Sequence, residues 1–108
     1  MTTRRPIKIL HFAPEPFFYK VFDNMENVDY IPCDLFPDKY KYKGKAEVRK
    51  VDITKIPFKE DSFDFILCNH VLEHIEDDNL AISELYRVMK NGGSGIFQVP
   101  IIYSLEHT

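Results

Sequence analysis

Phe63-Asp64-Phe65-Ile66-Leu67-Cys68 decides the fold when it is read together with two later segments, one from about Asp78 to Lys90 and then Gly95-Ile96-Phe97-Gln98-Val99-Pro100. The first run is short, apolar and bounded by polar residues, as a buried strand requires. In the second, Ala81, Ile82, Leu85, Val88 and Met89 recur at helical spacing and form one apolar stripe. Glu76, Asp77 and Asp78 stand at the positive end of that helix, Arg87 and Lys90 at its negative end. Asn91-Gly92-Gly93 then predicts a left-handed helix cap. The third run is a strand again. Apolar strands alternating with helices imply a parallel sheet with helices on its faces.

The same alternation extends toward the N-terminus. Ile7-Lys8-Ile9-Leu10-His11-Phe12 reads as a first strand, with turn chemistry at Pro14 and Pro16. Phe17, Phe18, Val21, Phe22 and Met25 predict a short amphipathic helix from Glu15 to about Met25, with Pro16 in its first turn. Val28 to Asp34 is a second strand, although Pro32 argues against a central position for it. Residues 36–45 are polar and turn-rich, so this connection is expected to be short or irregular. Glu47 to Ile53 predicts a third strand. The expectation is an α/β domain over residues 1–108, a Rossmann-like, mostly parallel sheet of about five strands with flanking helices.

Composition narrows the function. The hydrophobic fraction is 44%, which fits a packed core. Fourteen basic and seventeen acidic residues give a net charge of -3, which offers no global attraction to nucleic acid or anionic lipid. No stretch is long and apolar enough to span a membrane, so the expected compartment is the cytoplasm. Cys33 and Cys68 form no C-x-x-C pair and fall on strands that flank a third, too far apart for a bridge; buried thiols are expected.

Open parallel sheets bind ligands beyond the carboxyl ends of their strands, where the strand order reverses. After the first strand come His11, Phe12, Ala13, Pro14 and Glu15; the second ends at Asp34, the third near Asp52, and the fourth leads into Asn69 and His70. Asp34 lies about twenty residues past the first turn, the spacing at which a carboxylate takes ribose hydroxyls in nucleotide-binding folds. An Asx turn at the strand end is its alternative. Asp52 is placed either to accept from an adenine amine or as a solvated loop acid. No G-x-G-x-x-G follows the first strand, and Pro14 and Pro16 offer no N–H to a pyrophosphate, which Glu15 would repel. A nucleoside with a positively charged centre and no pyrophosphate suits this turn, and S-adenosylmethionine is such a molecule. His70-Val71-Leu72-Glu73-His74 also spells an inverted zinc-protease pattern, but that chemistry needs both His on one face of a regular helix plus a third ligand, and here the motif starts at a strand end and precedes an acidic loop, so no metal is expected. Lys39-Tyr40-Lys41-Tyr42-Lys43 is expected to be a solvated loop rather than a nucleic-acid contact.

Four blocks in order, Asp52 to Phe58, Asp61 to Ile66, Asn69 to Ile75 and Glu84 to Gly93, closely resemble the type 11 branch of class I S-adenosylmethionine-dependent methyltransferases. The resemblance implies a Rossmann-like sheet that binds S-adenosylmethionine. It assigns Asp34 with Leu35 to the ribose, and Asp52 with Ile53 to the adenine. Asn69 and His70 would lie near the methionine part and the methyl group, and His11, Ala13 and Glu15 at the turn that normally carries acidic-x-Gly-x-Gly. His70 is the implied candidate for a general base. The family sheet has two further strands, so the domain is expected to be C-terminally incomplete, lacking strands six and seven. With strand order three-two-one-four-five its fifth strand would be an exposed edge open to self-association. The methyl acceptor is expected to be a small molecule that the sequence does not name. The alternative is a non-catalytic module, derived from a methyltransferase, that binds S-adenosylmethionine or serves interaction alone.

Overall fold

The structure is a computed structural model and describes residues 5–69 and 78–98. Its elements run β1 (Ile7–Phe12), α1 (Pro16–Asp23), β2 (Val28–Asp34), a 3-10 turn (Pro37–Lys39), β3 (Arg49–Lys50), β4 (Phe63–Asn69), α2 (Asp78–Val88) and β5 (Met89–Gln98). The five strands form one sheet in the order β3-β2-β1-β4-β5, every pairing parallel. The order reverses between β1 and β4, so the turn after β1 stands at the switch point of the sheet.

Alternation along the strands sorts side chains onto two faces. Leu10 and Phe12 face α2, in a core with Ile31, Cys33, Phe63, Ile66 and Leu85. Ile9 faces α1 and packs with Tyr19, Tyr30, Phe22 and Phe65. Cys33 and Cys68 are free, buried thiols beside Phe12 on either side, as expected. Among the described residues no helix is long and apolar enough to cross a membrane.

Pro32 sits in an interior strand after all. Ala13 N–H donates to the Cys33 carbonyl on the β1 side, while Val51 N–H donates to the Asp34 carbonyl on the β3 side. The nitrogen of Pro32 therefore faces β3, whose pairing begins only at Cys33 opposite Arg49. The missing donor removes no ladder bond.

Four expected boundaries differ, among them the start of the fifth strand, which lies at Met89 rather than Gly95. The third strand shrinks to Arg49–Lys50 because Asp52 curls the chain: its Oδ1 accepts from Thr54 N–H (2.9 Å) and Thr54 Oγ1 (2.7 Å). α2 ends at Val88, and Asn91-Gly92-Gly93 serves a bulge rather than a helix cap. Met89 lies opposite Phe63 but Ser94 opposite Phe65, so the surplus residues loop out with Gly92 at φ 80°. At Gly93 a Cβ would stand 2.9 Å from the Lys90 carbonyl and 3.1 Å from that of Asp64. α1 covers only Pro16–Asp23 and turns Tyr19 to the sheet, leaving Phe17 69% exposed with Val21 and Met25 also outward. Tyr19 wins that place because its ring stacks near Tyr42 while its hydroxyl reaches the Ala46 carbonyl at 2.6 Å.

Candidate functional site

The parallel register brings the strand ends into one row. Phe12 pairs with Cys33 on one side and Cys68 on the other, so the turn at Ala13 lies between the ends of β2 and β4. Ala13 N–H bonds to the Cys33 carbonyl at 2.9 Å, which ties the turn directly to the approach to Asp34. Val51 N–H bonds to the Asp34 carbonyl at 3.0 Å, so Asp52 comes next on the neighbouring tip. Asp34 and Asp52 thus stand on adjacent strand ends at the same edge of the sheet.

Ala13 has φ 51°, in the left-handed region that a side chain disfavours and glycine tolerates. The backbone makes the bend that a glycine would make, with an alanine in place. Pro14 is buried, and its carbonyl accepts from the Tyr42 hydroxyl at 2.7 Å.

Both carboxylates are engaged in local turns. Asp34 Oδ2 accepts from Phe36 N–H at 2.8 Å, the Asx turn weighed against the ribose role, and its Oδ1 accepts from the Tyr40 hydroxyl at 3.2 Å. A carboxylate has about four acceptor positions, so these two bonds do not exhaust it. Both bonds to Asp52 fall on Oδ1, and they hold its carboxyl below the usual carboxylate range, the Thr54 side-chain bond contributing most. Leu35 is exposed beside Asp34, whereas Ile53 is buried in the α2-side core.

His11 is placed otherwise than a rim residue. Its side chain is fully buried on the α1 face, edge-on to Phe22. Nδ1 lies 2.6 Å from the Tyr30 hydroxyl and Nε2 2.8 Å from Glu15 Oε1. Burial lowers its pKa; the Glu15 carboxylate opposes that shift without cancelling it. Tyr30, on β2, is a partner of His11 that sequence reasoning misses. Within the run Val28 to Asp34 it carries only the signal of a core side chain on a strand.

Asn69 ends β4 opposite Gln98. His70, the candidate base, and His74 lie outside the described residues. Among the described residues, no group of three or more His, Cys, Asp or Glu side chains is arranged to hold a metal ion.

Three of the four sequence blocks are physically joined. Arg87 donates to the carbonyls of Ile56 (2.8 Å) and Phe58 (2.9 Å), and Glu84 Oε1 accepts from Ile56 N–H at 2.8 Å. Asp61 and Ser62 donate from their backbones to the carbonyls of Arg87 and Val88.

The five-stranded parallel sheet with its flanking helices is a Rossmann-like fold. Residues 18–97 match the methyltransferase domain family of type 11, and the chain belongs to that family. The chain is 50% identical over 67 residues to a demethylmenaquinone methyltransferase of Streptomyces avermitilis; the match covers 58% of the chain and 29% of that relative. In fold it resembles the YcgJ protein of Bacillus subtilis, with a TM-score of 0.64 at 24% identity, over 83% of the chain and 42% of that protein. It also resembles an S-adenosylmethionine-dependent methyltransferase of Aquifex aeolicus, with a TM-score of 0.59 at 23% identity, over 78% of the chain and 51% of that protein. The chain thus spans well under half the length of the Streptomyces relative it matches.

Proposed function

We propose that this chain forms the S-adenosylmethionine-binding part of a methyltransferase, with the nucleoside lying across the carboxyl ends of β2 and β3 and the methionine part over the turn after β1. The observation that carries this reading is the placement of Asp34 and Asp52 on adjacent strand tips, beside a turn that lacks the N–H groups a pyrophosphate needs. Asp34 would take the ribose hydroxyls, with Leu35 beside it, and Asp52 the adenine amine. Family membership supports S-adenosylmethionine as the ligand.

When bound, S-adenosylmethionine supplies a methyl group already activated by its sulfonium. The chain's own contribution is to position the donor, which is the larger part of catalysis when the electrophile is preactivated. His70 remains the proposed base for an acceptor that must lose a proton. The acceptor is proposed to be a small molecule. The name of the Streptomyces relative makes a demethylated quinone the first to try.

Titration calorimetry with S-adenosylmethionine tests the binding step. Asp34→Asn keeps the turn acceptor but removes the charge, and a charged hydrogen bond is worth about 1.5–3 kcal/mol. Affinity should fall by about tenfold or more. Unchanged affinity in Asp34→Asn, or no binding by the wild-type chain at millimolar ligand, would overturn the reading. Methyl release from the donor in the presence of a quinone and other small acceptors separates an enzyme from a binding module.

A further inference from the structure

The acidic residue expected at the head of the turn is absent, and His11 stands there with both ring nitrogens engaged. The arrangement fixes its protons. A carboxylate only accepts, so Nε2 must carry the hydrogen given to Glu15. In a neutral ring Nδ1 is then an acceptor, and the Tyr30 hydroxyl must donate to it. Burial lowers the pKa of His11 and raises that of Tyr30, which favours the neutral ring and the protonated phenol. Tyr30 is held in turn by ring contacts with Phe22 (5.4 Å) and Tyr19 (5.9 Å), so the chain of donors starts from a packed side chain. It ends at Glu15, which is 34% exposed at the entrance to α1, two residues beyond the bend at Ala13.

We propose that Tyr30 and His11 are positioning residues whose ordered hydrogen bonds aim the Glu15 carboxylate at the positively charged methionine end of S-adenosylmethionine. The inference rests on the cofactor reading above. In effect the negative charge is displaced from the head of the turn to its far side, and a buried relay holds it there. A fully satisfied buried network of this kind rigidifies its members, and so holds the outer carboxylate in one orientation.

Nitrogen-15 NMR of the wild-type chain tests the relay directly. The expected signature for His11 is a neutral ring protonated on Nε2. A ring protonated on Nδ1, or on both nitrogens, at about pH 7.5, a unit above the ordinary histidine pKa, would overturn the proposal without any variant. Calorimetry then compares S-adenosylmethionine with adenosine, which lacks the methionine end. Glu15→Gln should weaken S-adenosylmethionine about tenfold and leave adenosine within about twofold, the scale of one charged hydrogen bond. Tyr30→Phe should broaden or shift the His11 ring signals and weaken S-adenosylmethionine several-fold, on the order of a neutral hydrogen bond. If Tyr30→Phe does not fold, the Glu15→Gln pair of titrations decides. Wild-type chain that binds both ligands, with Glu15→Gln unchanged, overturns this inference alone. Wild-type chain that binds neither overturns the cofactor reading and this inference with it.

Discussion

Replacing Ala13 by glycine should leave the protein about as stable as before, or slightly more so, where the same exchange elsewhere is damaging. Ala13 has φ 51°. A side chain in the left-handed region costs about 1–2 kcal/mol, which glycine relieves. Against this stand about 0.4–1 kcal/mol of added freedom in the unfolded chain, and about 0.4 kcal/mol for a half-buried methyl group. The balance runs from about -0.4 to +1.2 kcal/mol of stabilisation. Ala81 is the control: it is fully buried in α2, so Ala81→Gly loses helix propensity of about 1 kcal/mol and a buried methyl of about 0.8 kcal/mol. The two variants should therefore differ by about 1.5–3 kcal/mol. Urea denaturation followed by far-ultraviolet circular dichroism reads this as a shift in midpoint at constant slope. An Ala13→Gly variant destabilised as much as Ala81→Gly would show that the bend carries no strain, and that the turn was not shaped for a glycine.

Two further outcomes concern side chains that hold loops and strand ends. At Gly44 an added Cβ would run into the Asp23 carboxylate and come within 2.5 Å of the Tyr19 hydroxyl. That carboxylate accepts from Lys45 and Ala46 N–H at 3.0 and 2.8 Å, so Gly44→Ala should cost about 1–3 kcal/mol in the same denaturation assay; a neutral result would mean the loop shifts freely. Acid should weaken the fold through His11 and Asp64, whose folded pKa values are both depressed, His11 by burial and Asp64 by the Lys8 N–H bond. For each, the unfolded chain binds the proton more readily, so stability is full above the unfolded pKa and falls as pH drops toward the folded one. The His11 loss begins below about pH 6.5, and His11→Gln should flatten that limb of a pH–stability profile while leaving the lower, carboxylate limb in place.

Most of the fold can be read from pattern alone because β1, β2 and β4 are interior strands whose apolar runs have a single interpretation. The ends of elements are harder, for identifiable reasons. Asp52 reads as the end of a strand, but its carboxylate captures Thr54 and turns the chain early. Asn91-Gly92-Gly93 has the composition of a helix cap, and the same glycine freedom serves the bulge that joins α2 to β5. Within α1, hydrophobicity points to Phe17 and Val21, whereas Tyr19 is buried because partners distant in sequence, Tyr42 and Ala46, receive it. At the candidate site, the placement of Asp34 and Asp52 on neighbouring strand ends is legible from the sequence. Sequence does not distinguish His11 as a ligand from His11 as a buried relay, since that depends on Tyr30 from the neighbouring strand.

The linkage between the sequence blocks explains why they occur together. Residues 56–58 cross from the β3 side of the sheet to β4 and have no regular partner of their own. Buried or half-buried backbone groups there need donors and acceptors. Arg87 supplies two donors to the carbonyls of Ile56 and Phe58, and Glu84 supplies the acceptor for Ile56 N–H. The Glu84–Arg87 ion pair at 2.7 Å keeps both side chains in the geometry this needs. The backbone carbonyls of Arg87 and Val88, left over at the end of α2, are satisfied by Asp61 and Ser62. Asp64 then accepts from Lys8 N–H at the start of β1 and meets Lys90 just past α2. Three of the four blocks are therefore one hydrogen-bonded unit that sets where β4 begins relative to β1. Since β4 and β1 bound the switch point, this unit fixes the edge on which a ligand would rest.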